Sequence, residues 1–196
     1  MNDLFTIALS FFLIANPIGN IPTVVALVKD FPFQRQRKIV LREAIFSFLI
    51  AIGFQFVGSE LLKYLQIESD TVSITGGLLL LLVALGMIFP KEEPKETLAL
   101  QREPFLVPIA TPIITGGGVM SSIMIFSKET GDPFLVSSAL VLAWCGVIPI
   151  VFFSPYLKKV LGDRGLLALE QFMGMILALL SMRLIVQGLR IFFTGS

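Results

Sequence analysis

The sequence predicts an all-α integral membrane protein with six transmembrane helices, arranged as two inverted three-helix repeats in which helices 1 and 4 are broken. The chain of 196 residues is 55% hydrophobic and only 15% charged, whereas soluble domains carry about 25% charged residues. Its apolar runs are too long for buried strands, which have about 4–8 residues. The first and fourth runs are interrupted by proline and glycine at matching positions.

The six predicted spans are residues 4–28, 39–65, 71–89, 105–126, 134–157 and 166–193. A helix rises about 1.5 Å per residue, so about 20 residues cross a hydrocarbon core of about 30 Å. Because only 66–70 connects spans two and three, these spans are expected to be antiparallel neighbours. We expect a single membrane domain, 1–196, with repeat A at about 1–90, a polar linker at about 91–103 and repeat B at about 104–196.

Two breaks interrupt spans one and four. The first is Asn16-Pro17-Ile18-Gly19-Asn20-Ile21-Pro22, and the second is Pro108-Ile109-Ala110-Thr111-Pro112 followed by Thr115-Gly116-Gly117-Gly118. Proline and glycine free backbone N–H and C=O groups, and each group left unpaired in hydrocarbon costs several kcal/mol. Such breaks are therefore expected only where protein, water or a ligand takes up the freed groups.

The breaks also indicate an internal repeat. A shift of about 95 residues places Asn16-Pro17-Ile18 on Thr111-Pro112-Ile113. Each half has three spans, and an odd number of crossings reverses direction, so equivalent halves would lie in the membrane with opposite topology. About twelve apolar residues, or roughly 18 Å of helix, precede Asn16, which places the break near mid-membrane.

Broken helices at mid-membrane suit a small polar solute. The N-terminus of a half-helix offers N–H groups and positive partial charge to a carboxylate, while unwound carbonyls can hold an ammonium group or a cation. Packing alone is the simpler explanation of any one such break, but two at equivalent positions favour a transport site. The residues predicted to shape it are Asn16, Pro17, Gly19, Asn20, Pro22, Thr111, Pro112, Thr115, Gly116, Gly117 and Gly118.

Charged and small residues inside the spans are further candidates. Arg183 lies within span six, and an intramembrane charge is a functional candidate by default, although snorkelling to the outer interface or pairing with a carboxylate would also explain it. Arg42 and Glu43 open span two, where an interfacial role is expected. The glycines at 53, 58, 76 and 77 are expected to permit close helix contact.

Basic residues set the predicted orientation. Most Lys and Arg residues fall in three loops, which the positive-inside rule places in the cytoplasm, so both termini are expected to face the periplasm. These residues are Lys29, Arg35, Arg37, Lys38 and Arg42 in the first loop, Lys91, Lys95 and Arg102 in the second, and Lys158, Lys159 and Arg164 in the third.

Several function classes find no support in the sequence. The chain has no histidine and a net charge of +1, which gives no indication of nucleic-acid binding. No catalytic triad, metal cluster or nucleotide motif is present, so neither an enzyme nor an ATP-driven pump is predicted, and no cofactor is expected. A coupling ion, Na⁺ or H⁺, is compatible with the pattern because backbone carbonyls can hold sodium without a side-chain signature.

At these motifs the sequence resembles the MarC family of six-helix bacterial inner-membrane proteins. The first break carries the most specific part of the resemblance. Weaker parts are Leu106–Pro112 with Gly116–Gly118, Ile74-Thr75-Gly76-Gly77-Leu78, and Met173-Gly174-Met175-Ile176-Leu177-Ala178. The resemblance implies two inverted three-helix repeats and the handling of small neutral amino acids such as glycine and alanine.

The chain departs from the family pattern at three places. Relatives usually have Gly-Pro-Gly at Gly116–Gly118, many have arginine at Ser73, and many have glutamine near Arg183. A charge has in effect moved from span three to span six, which bears on the substrate and not on the fold.

We therefore expect a secondary transporter or exporter of small neutral amino acids, working by alternating access in the bacterial inner membrane. The alternative is a non-transporting membrane scaffold or assembly protein, in which the breaks serve packing and the polar loops bind partners. The sequence specifies neither the direction of transport nor the oligomeric state.

Overall fold

The computed structural model describes residues 2–89 and 113–194, and these residues form helices and connecting turns without a β-strand. The helices are α1 (Asn2–Ala15), α2 (Ile21–Val28), α3 (Phe33–Tyr64), α4 (Ser69–Ile88), α5 (Gly117–Thr130) and α6 (Pro133–Thr194). Within the described residues, four segments are long and apolar enough to cross a membrane: Phe33–Gly58, Asp70–Ile88, Pro133–Leu157 and Arg164–Thr194. These four agree with predicted spans two, three, five and six.

Helix α6 consists of two limbs. Gly162 has φ 64° and ψ 179°, which no continuous α-helix contains. The first limb is Pro133–Leu157 and the second limb is Arg164–Thr194. Glycine is favoured at this bend because residues that have a Cβ rarely adopt a positive φ. The bend allows one helical element to supply two of the expected spans.

Of the two spans predicted to be broken, the structure shows the interruption of span one and describes only the second part of span four. Span one is divided into the fourteen-residue α1 and the eight-residue α2. In span four, α5 begins only at Gly117, and the residues before Ile113 lie outside the described part of the chain. The interruption of span one is therefore confirmed, whereas the arrangement of six crossings in two inverted repeats remains a prediction.

Large apolar side chains cover the outside of the helices as well as the core. Phe11, Ile114 and Trp144 are fully buried, whereas Phe5, Leu82 and Leu179 are exposed to more than 60%. A soluble domain does not show so extensive an exposed apolar surface. The surface is typical of a protein solvated by lipid tails.

Cations and aromatic rings meet where α3 begins and the first limb of α6 ends. The Arg37 guanidinium lies 4.5 Å from the Phe152 ring centroid, and the Lys159 ammonium lies 4.4 Å from that of Phe33. Arg37 also donates to the Tyr156 hydroxyl at 3.3 Å. Basic residues of the first and third loops therefore lie at the same end of the bundle, which agrees with the prediction that these loops face the same side of the membrane.

Helix α4 and the second limb of α6 pack as an antiparallel pair through small residues. A Cβ atom built on Gly77 would lie 2.8 Å from the Ser181 carbonyl oxygen and 2.7 Å from Ile185 Cγ1. One built on Gly174 would lie 3.2 Å from the Ala84 carbonyl oxygen and 3.1 Å from Ile88 Cγ1. Only a hydrogen in place of Cβ lets these backbones approach so closely.

The other glycines differ in role. A Cβ on Gly76 would overlap the Ser121 side chain of α5, so the expectation of close contact is confirmed there and at Gly77. It is wrong for Gly53, which is exposed and where a Cβ would meet no atom of the described residues within 4 Å. At Gly58 the atoms nearest to a Cβ would be those of the Phe54 ring of its own helix.

Candidate functional site

The first break is a tight turn made by Asn16. Its φ of 48° is left-handed, a conformation that asparagine tolerates better than most residues with a Cβ. Its N–H still donates to the Phe12 carbonyl at 3.1 Å, and its Oδ1 accepts the Gly19 N–H at 3.2 Å. Asn16 is buried, and its Nδ2 donates to Met87 Sδ of α4 at 3.3 Å. One side chain thus shapes the turn and fixes it to α4.

Gly19 and the prolines complete the first break. A Cβ on Gly19 would overlap Met87 Cε and the Asn16 amide, so a larger residue would displace both of these side chains. Pro17 is buried. Pro22 lies in the first turn of α2, where a missing N–H costs no helical hydrogen bond.

The second break turns the chain into α5. Ile113 and Ile114 lie in a wide π-type turn, and Gly116 is extended, with φ −90° and ψ −176°, directly before α5. The buried Thr115 hydroxyl donates to the Ser47 carbonyl of α3 at 2.8 Å. Ser47 Oγ in turn accepts from Trp144 Nε1 at 2.9 Å. Three elements are therefore joined by one buried polar chain at this break.

The two breaks are in direct contact through Asn20. Its Nδ2 donates at 3.1 Å to the Ala15 carbonyl at the end of α1 and at 3.1 Å to the Ile113 carbonyl of the second break. The residues are 93 positions apart in sequence. One amide group thus satisfies a carbonyl freed by each break, in a half-buried position.

Glycines bring α4 against the start of α5. A Cβ on Gly117 would lie 2.6 Å from Leu79 Cδ1, and one on Gly118 would overlap the Leu80 side chain. The N-terminus of α5 is therefore enclosed by α4, close to the second break. Its first N–H groups have no partner within the helix, as at any helix start.

Glu43 is a functional candidate that sequence reasoning placed elsewhere. It was expected at the interface, but its side chain is fully buried, with 0% exposure. Helix α3 begins at Phe33, before the predicted start of span two, so Glu43 lies well inside the helix. Its Oε1 accepts from Arg42 Nη2 at 2.9 Å, while Oε2 has no hydrogen-bond partner among the described residues. A buried carboxylate with a free oxygen can take a proton or a monovalent cation.

A cavity of about 380 Å³ lies beside the breaks, between α1, α5 and the second limb of α6. Its apolar lining includes Ile14, two residues before the first break. A charged side chain facing lipid at mid-membrane costs about 2.5–3.5 kcal/mol or more, which favours water in this space. The polar side chains that line it are Ser10, Ser122, Glu129, Arg183, Gln187 and Arg190.

The structure thus brings most predicted site residues together. Asn16, Gly19, Asn20, Thr115 and Gly116 through Gly118 lie at or between the two breaks, while Arg183 lines the adjacent cavity. Thr111 and Pro112 lie outside the described residues. Among the described residues, no group of three or more His, Cys, Asp or Glu side chains is placed to hold a metal ion.

Sequence reasoning missed Ser47, Trp144 and Ser122. Ser47 and Trp144 are ordinary residues in apolar runs, and only their contacts at the second break mark them. Ser122 follows Gly118 by one turn and donates to its carbonyl at 2.8 Å. The chain offers a weak signal for Ser122, because it lies one helical turn after the glycine run.

Comparison with known proteins places the whole chain in one group. A sequence model described as "MarC family integral membrane protein" matches residues 1–193. The "UPF0056 inner membrane protein YhgN" of Escherichia coli (strain K12) is 34% identical over 197 residues, covering 100% of both chains. The "UPF0056 membrane protein" of Buchnera aphidicola subsp. Schizaphis graminum is 36% identical over 195 residues, covering 98% of this chain and 99% of the relative.

A similar protein occurs in a third organism. The "UPF0056 membrane protein" of Chlamydia trachomatis serovar D is 35% identical over 193 residues, covering 96% of this chain and 94% of the relative. No solved structure has detectable similarity to the chain.

Proposed function

The chain belongs to the MarC family of integral membrane proteins, and from that premise we propose that it is a secondary transporter of small neutral amino acids. The solute would bind where the two breaks meet, and the protein would work by alternating access. Asn16, Asn20, Thr115 and the glycines at 116–118 would form the site.

The observation that carries this proposal is the pair of hydrogen bonds made by Asn20. Unwound backbone from two distant parts of the chain meets at one amide group, which donates to carbonyls at 3.1 Å on both sides. In transporters built from repeats, solute and ion sites lie where discontinuous helices meet. Simple packing requires no such bridge between two breaks.

The close helix pair supports an inverted repeat. A shift of 97 positions carries Gly77 onto Gly174, Ile88 onto Ile185 and Ala84 onto Ser181. Gly77 approaches the Ser181 carbonyl and Ile185 Cγ1, while Gly174 approaches the Ala84 carbonyl and Ile88 Cγ1. The contact that the glycine of α4 makes with the second limb of α6 is thus repeated by the equivalent glycine of that limb with α4. A two-fold axis between two antiparallel helices produces such a pair of contacts.

In this conformation, protein side chains form hydrogen bonds with the backbone groups that the breaks leave unpaired. The Asn20 amide donates to the Ala15 and Ile113 carbonyls, and the Thr115 hydroxyl donates to the Ser47 carbonyl of α3. We infer a closed state in which Asn20 stands in for a solute's ammonium group, as both are donors to carbonyl oxygens. Alternating access would then break the Asn20–Ile113 bond when the halves rock apart.

We also propose where the protein lies and how it is oriented. The E. coli relative is named as an inner membrane protein, and we propose the bacterial inner membrane for this chain. Residues of two basic loops share one end of the bundle. The positive-inside rule places that end in the cytoplasm and both termini in the periplasm.

Flux measurements test the proposal. The purified protein in proteoliposomes should carry radiolabelled glycine or alanine, and Asn20→Ala should abolish that flux because it removes the amide that lies in the proposed site and holds both breaks together in the closed state. Ser138→Ala is the matched control, since the Ser138 hydroxyl donates only to Phe134 of its own helix. Wild-type flux in the Asn20 variant would overturn the assigned site.

Imposed gradients extend the same experiment to coupling. Flux is measured with and without gradients of Na⁺ and of pH, in the wild type and in Glu43→Gln. If a gradient drives the wild type and not the variant, the coupling ion binds at Glu43. A non-transporting scaffold is the competing function, and absence of both flux and amino-acid-dependent thermal stabilisation would favour it.

A further inference from the structure

One wall of the cavity beside the breaks is strongly polar. Arg183, Gln187 and Arg190 follow one another at intervals of four and three residues, so they share one face of the second limb of α6. Across the cavity, α5 contributes Glu129, which accepts a hydrogen bond from Gln187 Nε2. The two cations outnumber the one carboxylate, and the wall therefore favours an anionic group.

Arg183 is the cation of this wall that lies deepest. It lies seven residues before Arg190, or about 10 Å further along the helix. No carboxylate of the described residues forms an ion pair with it, and the acid that lines the cavity bonds to Gln187 instead. A guanidinium presents several N–H donors in a planar fork that matches a carboxylate.

The cavity that Arg183 lines is also lined by residues that neighbour the breaks in sequence. Ile14 of α1 is two residues before Asn16, and Ser122 of α5 donates to the Gly118 carbonyl one turn after the second break. A volume of about 380 Å³ is at the small end of the range for ligand sites. It fits a small solute together with several waters, each of which takes about 30 Å³.

We propose that this cavity is a solute-binding vestibule in which Arg183 holds the carboxylate of a small α-amino acid, while Glu129 holds its ammonium group. This inference rests on the proposed transport function and adds a second position along the route, on the predicted periplasmic side of the breaks. Arg183 is therefore a binding residue. The chemistry recognised is a carboxylate with a neighbouring ammonium group and a small side chain.

Ligand-dependent thermal stabilisation of the purified full-length protein tests the pairing of charges. Glycine and alanine should stabilise the wild type, whereas glycinamide, which lacks the carboxylate, should not. Arg183→Gln should weaken glycine binding by about tenfold to a hundredfold, the effect of losing a charge-assisted hydrogen bond. Arg183→Lys should bind with intermediate affinity. Arg164→Gln is the matched control that should bind as the wild type does, because Arg164 lies at the opposite end of the same limb and does not line the cavity.

Cysteine labelling tests whether the cavity holds water, in a Cys145→Ala background because Cys145 is exposed. A membrane-impermeant thiol reagent should modify Ser10→Cys in the cavity, and glycine should slow the reaction. Leu179→Cys is the control, since its side chain is 74% exposed on the lipid-facing side of α6 and should not react. Absence of labelling at Ser10→Cys in folded protein would overturn the vestibule.

The two proposals fail in different ways. If amino acids cross the membrane and Arg183→Gln leaves both glycine binding and KM for flux unchanged, the vestibule is wrong and the transport function stands. If no amino acid is carried but acetate binds in a manner that depends on Arg183, the transport function is wrong and the cavity is a carboxylate site of another kind. Stabilisation by anionic lipid alone would overturn the amino-acid assignment.

Discussion

The second limb of α6 has two faces that are built in opposite ways. Toward α4 it presents Gly174 and Ser181, and the backbones approach so closely that a Cβ on Gly174 would lie 3.2 Å from the Ala84 carbonyl. Toward α1 and α5 it presents Arg183, Gln187 and Arg190, which line a cavity of about 380 Å³. One helix thus has a tightly packed face and an open polar face.

The difference teaches where this protein is rigid and where it has room for a solute. In lipid, helix association depends on close packing, because lipid tails are as apolar as the side chains. The small-residue face supplies that packing between the third helix of each proposed repeat. Long polar side chains prevent such packing on the other face, and the space between the helices remains.

Replacing Gly77 should break the packed face and have the largest effect. Gly77→Leu would place a side chain where even a Cβ lies 2.8 Å from the Ser181 carbonyl, so we expect a loss of about 3 kcal/mol or more in unfolding free energy. Thermal unfolding and size-exclusion chromatography in detergent measure it. Gly86→Leu on the same helix is the control, because a Cβ there meets nothing within 4 Å. Equal tolerance at both positions would contradict close packing.

Replacing Arg183 should affect the open face alone. Arg183→Gln should change the unfolding free energy by less than about 0.5 kcal/mol, as expected for an exposed side chain outside the packed core. Glycine binding should nevertheless fall by at least about tenfold. Measuring the melting temperature with and without glycine separates the two effects. A large loss of stability without ligand would show that Arg183 holds the helices together.

A single methyl group on the packed face should have a moderate effect. Gly174→Ala places a Cβ 3.0 Å from Met87 Cβ and 3.1 Å from Ile88 Cγ1, and slight overpacking of this kind costs about 1 kcal/mol. Chemical denaturation in detergent checks it. Gly53→Ala, where no neighbour lies within 4 Å, should be neutral or slightly stabilising.

Removing one hydroxyl from the packed face should have the smallest effect. Ser181 Oγ donates at 2.7 Å to Ala178 of its own helix, so it contributes no bond between helices. Ser181→Ala keeps the small volume and should change the unfolding free energy by less than about 0.5 kcal/mol. Ser181→Leu should instead be strongly destabilising. If Ser181→Ala proved as damaging as Ser181→Leu, hydrogen bonding and not size would govern this face.

Much of the fold could be predicted from local sequence. Long apolar runs predicted the four long membrane segments, and Asn16-Pro17 predicted the interruption of span one. The family resemblance is confirmed by the match over residues 1–193. The burial of Glu43 could not be predicted, because α3 begins at Phe33, earlier than its hydropathy indicates, and this places Glu43 well inside the helix.

The candidate site also contains residues that the sequence predicted and partners that it did not. Its glycines and asparagines were visible in the sequence because proline, glycine and polar residues are costly inside a membrane span. Their partners were not visible: Met87 binds Asn16 from 71 positions away, and Ser47 accepts from Thr115 at a separation of 68. Such partners depend on how helices are placed, which local propensity does not encode.

By itself the sequence determined that this chain lies in a membrane, that helices cross it, and that the first of them is broken at Asn16. Those properties follow from hydropathy and from the backbone chemistry of proline and glycine, which act within a few residues. Only the tertiary structure decided that Asn20 joins the two breaks and that Arg183 faces a cavity. Both depend on which faces of distant helices meet, because a hydrogen bond or a cavity exists only between surfaces that packing has brought together.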